Sequence, residues 1–198
     1  MRNLNCSRMG KLAGVAMMLV LSAASVCATT IGFEGFAPAG SLTNVNPGAP
    51  YTESGFTLTP SGSASAVFDA AYTLSSFPGD NTSWFGFATG NTIAMTGPAK
   101  FSLTSLVIGP STIGSGVVSG TVTADVFGGG TLSRTFTGLS LATLETLNWS
   151  NLIDVKFTAT SDAGLDNIVV NAVPEPGTLL LFGVSLGTLA LRRRGAGA

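Results

Sequence analysis

The chain has 198 residues, a formal net charge of −1, no histidine and two cysteines. The lack of histidine removes Ser-His-Asp and Cys-His nucleophile systems, His-based zinc sites and c-type haem attachment. Over residues 29–173 only Lys100, Arg134 and Lys156 stand against nine acidic residues, a net of −6, so this stretch is a poor ligand for nucleic acid or anionic lipid.

Arg2, Arg8 and Lys11 form a positive start, residues 12–24 are apolar, and Val26-Cys27-Ala28 places small residues before Thr29. This is the pattern of a signal peptide over residues 1–28, cleaved on export. Cys27 raises a lipoprotein reading, but a lipidated cysteine normally follows Gly, Ala or Ser, and here it follows Val26. An uncleaved anchor would need a longer apolar stretch. Cys6 and Cys27 both fall in the signal, so the mature chain has no disulfide although its compartment permits one.

Residues 29–172 are long enough for one domain with its own core, and their pattern is β throughout. Strands are expected at 31–36, 55–59, 83–88, 92–95 and 101–108. Val118, Val122, Ala124 and Val126 alternate with Ser119, Thr121, Thr123 and Asp125, a period of two with one buried and one wet face. Gly128-Gly129-Gly130 then breaks the strand before Leu132, Arg134 and Phe136 resume the alternation, which reads as a hairpin. Residues 139–149 have leucines at helical spacing but are short and Thr-rich, and are read as strand. Ile153, Val155 and Phe157 alternate again, and 165–171 forms a last strand. Nine or ten short strands among Gly, Pro, Ser and Asn predict an all-β antiparallel sandwich. Thr-x-Thr pairs recur at Thr57/Thr59, Thr121/Thr123, Thr135/Thr137 and Thr158/Thr160. Their interval is irregular, and a flat ice-binding array would need a regular one.

The domain ends in Val173-Pro174-Glu175-Pro176, followed by an uncharged apolar run over 177–191 and then Arg192-Arg193-Arg194. The prolines disfavour helix before residue 177. Fifteen helical residues span about 22 Å, short of a bilayer core of about 30 Å, a gap that snorkelling arginines and local thinning narrow. The Arg cluster should stay cytoplasmic. A buried core helix is the other reading of such a run, but it leaves the three arginines and the Pro-Glu-Pro break unexplained. A Pro-Glu-Pro signature, one short span and a terminal Arg cluster resemble the PEP-CTERM sorting signal of Gram-negative bacteria. The resemblance implies export, transient anchoring in the inner membrane by residues 173–198, processing by an exosortase, and delivery to the cell surface or extracellular matrix.

Ile31-Gly32-Phe33-Glu34-Gly35-Phe36 at the mature start, Val155-Lys156-Phe157, and Leu165-Asp166-Asn167-Ile168-Val169-Val170 leading into the tail resemble small PEP-CTERM proteins with a jelly-roll, carbohydrate-binding-like domain. In such modules an acid in the first strand and an acid opening the last often share a structural calcium. Carried over, the ligands would be Glu34 and Asp166, with backbone carbonyls and Asp162 completing the six to eight oxygens calcium needs. The alternative is two solvated strand-edge acids. Trp84, with Phe85, Phe87 and Tyr72, is a candidate sugar-stacking platform, or else core packing. The function implied is a non-enzymatic exported surface protein with weak binding to extracellular polysaccharide. The alternative is a secreted glycan-active enzyme, which would need two carboxylates about 5–9.5 Å apart across a cleft.

Overall fold

The computed structural model describes residues 28–72, 83–111 and 116–172. The expected signal peptide, membrane span and Arg cluster lie outside them. Among the described residues there are eleven strands and no helix. They are β1 (Thr29–Ile31), β2 (Leu42–Val45), β3 (Tyr51–Glu53), β4 (Phe56–Pro60), β5 (Ser65–Phe68), β6 (Trp84–Phe87), β7 (Thr92–Pro110), β8 (Val118–Val126), β9 (Thr131–Leu139), β10 (Thr143–Ala159) and β11 (Ala163–Ala172). Every pairing between them is antiparallel.

Two strands organise the rest. β7 has 19 residues and β10 has 17, about three times the usual strand of five or six. Thr92–Thr96 of β7 lies between β4 and the second half of β10, whereas Phe101–Pro110 lies between β11 and its first half. Each long strand therefore belongs to two leaves. One leaf runs β2-β5-β6-β11-β7-β10, with β1 added to β11. The other runs β3-β4-β7-β10-β8-β9. The buried side chains of both leaves, among them Phe85, Leu165 and Ile108 from the first and Leu58, Met95 and Phe157 from the second, form one apolar cluster. This is the sandwich-like, all-β arrangement that the alternating pattern predicts, and it fits a jelly-roll-like domain.

The predicted strands on either side of residues 96–101 join into β7, and the ambiguous stretch at 139–149 supplies the start of β10. Short β2, β3 and β5 complete the count. The triple glycine makes the turn between β8 and β9, with φ of 93°, 106° and 97°. Three consecutive left-handed residues are tolerated there because none carries a Cβ.

Two local readings are corrected. The first strand ends at Ile31 rather than running to residue 36, because Phe33 adopts φ 64° and turns the chain. Its ring stays fully buried against Tyr51 and Phe85, which offsets the roughly 1–2 kcal/mol of a left-handed residue. In β10 the apolar phase starts on Leu152, not Ile153. Leu152 is 0 % exposed and Ile153 is 48 % exposed. A bulge between Leu152 and Asp154, with Asn151 at φ 58°, shifts the phase by one residue before Val155 and Phe157 return to the core.

The wet face of the second leaf gathers threonines that are scattered in sequence. Thr92, Thr158, Thr121 and Thr135 lie opposite one another across β7, β10, β8 and β9. Irregular intervals along the chain thus become aligned rows through strand register. The next rows are interrupted by Lys156, which bridges Asp125 at 3.4 Å and Asp154 at 3.3 Å.

Candidate functional site

A groove of about 230 Å³ opens on the outer side of the first leaf. Register builds it. Leu42 lies opposite Phe68, and Phe68 opposite Trp84, so these apolar side chains form one row. The next row on the same side is Asn44, Ala66 and Gly86, continued by Gly164 and Gly109. Small residues there leave a trough beside the aromatic row. Ser63, Ser65, Ser111 and Asp162 supply polar atoms along its other side.

Gly86 is required by its neighbours. A Cβ at this position would lie 2.6 Å from the Phe68 ring and 2.8 Å from Trp84. Without it, the two rings stack at 4.1 Å with an interplanar angle of 7°. Tyr72 leans on the other members of this cluster through Phe68, at 4.9 Å and 59°. Trp84 is 1 % exposed, so it packs beneath Phe68 instead of offering an open stacking face. Phe68, which the sequence did not single out, lines the groove together with the nearly buried Phe87 of the expected platform.

Asp162 borders the groove with an exposed side chain. Its Oδ1 accepts the Thr89 N–H at 3.0 Å and the Thr89 hydroxyl at 3.2 Å, which fixes the carboxylate while Oδ2 has no protein partner among the described residues. Ser65 Oγ accepts from Asn91 Nδ2 at 3.4 Å and so keeps its own proton for another acceptor.

Glu34 and Asp166 sit near the paired chain ends. β1 and β11 run side by side, with Thr29 opposite Val170 and Ile31 opposite Ile168. Glu34 follows the turn after β1, and its Oε1 accepts the Ser83 N–H at 2.8 Å. Asp166 is fully buried, and its Oδ1 accepts the Asn167 N–H at 2.7 Å. Among the described residues no three acidic side chains gather closely enough to hold a metal ion. A calcium there would draw on two already hydrogen-bonded carboxylates and backbone oxygens.

A second acid, Glu53, acts on the same turn. Its Oε2 accepts the Phe33 N–H at 3.0 Å and the Tyr51 hydroxyl at 2.6 Å. Burial pushes the Tyr51 phenol above its ordinary pKa, and the Glu53 carboxylate beside it pushes the same way. Tyr51 therefore remains a donor. The separation of about twenty residues gave no local signal for this clasp.

Residues 172–194 match the PEP-CTERM protein-sorting motif. The chain carries a PEP-CTERM sorting signal. The PEP-CTERM match begins at Ala172, the last residue of β11, and ends at Arg194. It includes Pro174, Glu175, Pro176 and the Arg192-Arg193-Arg194 cluster, all but its first residue lying outside the described structure. PEP-CTERM domains are exosortase substrates, so the chain is exported and passes through a membrane-anchored stage. Comparison with the curated proteins finds no match. Among solved structures the fold is similar to part of an arabinose-bound α-L-arabinofuranosidase, at 16 % identity and TM-score 0.37 over 65 % of this chain and 24 % of that one. A likeness that distant carries no argument about activity.

Proposed function

We propose that the protein is a non-enzymatic surface or matrix module of a Gram-negative cell. It is released outward after exosortase processing near Pro174-Glu175-Pro176, and its mature sandwich binds extracellular polysaccharide weakly. The observation that carries the sorting half is the PEP-CTERM match, which starts where the last strand stops. The compact sandwich and the groove on its first leaf support the binding half. Asp162 is the one carboxylate among the described groove-lining residues, whereas glycoside hydrolysis by the usual route needs a pair flanking the bond.

Intact-mass measurement of the protein recovered from the native cell surface tests the sorting half. The expected species begins at Thr29 and lacks residues 179–194. Recovery of a surface form that retains those residues refutes processing. Binding of the recovered protein to immobilised neutral polysaccharides tests the other half, and no retention on any of them refutes it.

A further inference from the structure

We infer that the groove between β2, β5 and β6 is the sugar-contacting site, and that it takes a single uncharged ring carrying adjacent hydroxyls. The inference rests on the glycan-binding half of the proposed function and assigns it to named atoms. The volume of about 230 Å³ lies below the roughly 300–1,000 Å³ of sites for drug-sized ligands. It admits one ring, not a length of chain laid inside.

The two sides of the groove differ chemically, as the two aspects of a sugar ring do. Leu42 and Phe68 present apolar surface to C–H groups. Phe68 is held flat by the stack on Trp84, which Gly86 permits, so little side-chain freedom is lost on binding. Across the small-residue floor, Asp162 offers an oxygen with no protein partner among the described residues while its other oxygen is fixed by Thr89. A carboxylate oxygen has acceptor capacity for two neighbouring hydroxyls, and a hydrogen bond to a charged acceptor is stronger than one between neutral groups. The nearly buried Ser111, whose N–H donates to the Asp162 carbonyl, adds a hydroxyl beside it. The same carboxylate repels uronic acids and sulfated sugars, so the ligand is neutral.

The test uses the processed protein from the cell surface on an array of neutral and acidic oligosaccharides, with titration calorimetry against the best neutral hit. Asp162→Asn keeps the shape but removes the charged acceptor, and should weaken binding by at least about tenfold, the scale of one charge-assisted hydrogen bond. Asn44→Trp places an indole at the exposed rim and should abolish binding without touching the core. Asp125→Asn, on the other leaf, makes the same charge change and should bind as wild type. Wild-type binding that neither Asp162→Asn nor Asn44→Trp diminishes overturns the groove while leaving glycan binding standing. Absence of wild-type binding overturns both. Binding confined to acidic glycans overturns the assignment of a neutral ligand and the role of Asp162.

Discussion

Truncating Leu152 and Ile153 separately discriminates the bulged strand from simple alternation. Leu152 is 0 % exposed and sits opposite Phe101 and Val126. Leu152→Ala removes buried methyl groups and leaves a cavity that the flanking strands fill only in part, at a cost of about 2–5 kcal/mol. Ile153 is 48 % exposed. Full burial of such a side chain is worth about 1.5–3 kcal/mol, so Ile153→Ala should cost on the order of 1 kcal/mol or less. In a domain of this size each kcal/mol moves the melting temperature by about 2–4 °C. The first variant should therefore melt about 4–20 °C below wild type and the second within about 4 °C of it. Circular-dichroism melts of the mature domain, backed by urea titration to check that the m-value is unchanged, read this directly. Equal shifts, or a larger shift for Ile153→Ala, would refute the phase change between Leu152 and Val155.

Val122→Asp buries a carboxylate opposite Phe157 and should cost several kcal/mol, whereas Thr121→Asp on the wet face should be nearly neutral; similar melts would disprove the strand phase. Asp69 Oδ1 accepts the Gly40 N–H at 2.7 Å and the Ala71 N–H at 2.9 Å, and these bonds hold its carboxyl below the usual range. Its contribution is thus present above the unfolded pKa and lost as pH falls through the lower folded one, so wild type should lose stability on acidification more steeply than Asp69→Asn, and parallel curves would count against it. If Glu34 and Asp166 share a calcium ion, the domain should melt higher in millimolar calcium than in chelator by mass action, with Asp166→Ala losing most of that difference; identical wild-type melts dispose of the ion. Replacing Arg192, Arg193 and Arg194 by Glu should impair membrane retention of the precursor, and unchanged fractionation would contradict the proposed orientation.

Alternation was legible wherever a strand was long, unbulged and had one wet face, as in β8 and at Val155 and Phe157 of β10. It failed where backbone geometry intervened. Phe33 reads as a strand residue, yet Glu53 captures its N–H and the turn begins there. β2, β3 and β5 have only three or four residues each, too few for a period to declare itself among the surrounding Gly, Pro and Ser. The sorting motif was fully legible because it is contiguous. The groove was not, because residues near 42, 65, 86, 111 and 162 meet only through sheet register. Trp84 drew attention as a large aromatic, but the smaller Phe68 lines the groove because it lies one strand nearer the edge.

The pairing of β1 with β11 sets an order of events during export. Thr29, the residue expected to begin the mature chain, is held by Val170, two residues before the sorting motif begins. An N-terminus that crosses first must therefore wait for almost the whole chain before it finds its partner strand. The sheet closes only when β11 has emerged, so completion of the fold must follow export of nearly the whole domain. The two ends of the described domain then lie side by side, so under the proposed processing both would be cut at one pole and the groove-bearing leaf would be tethered, before release, by a single point.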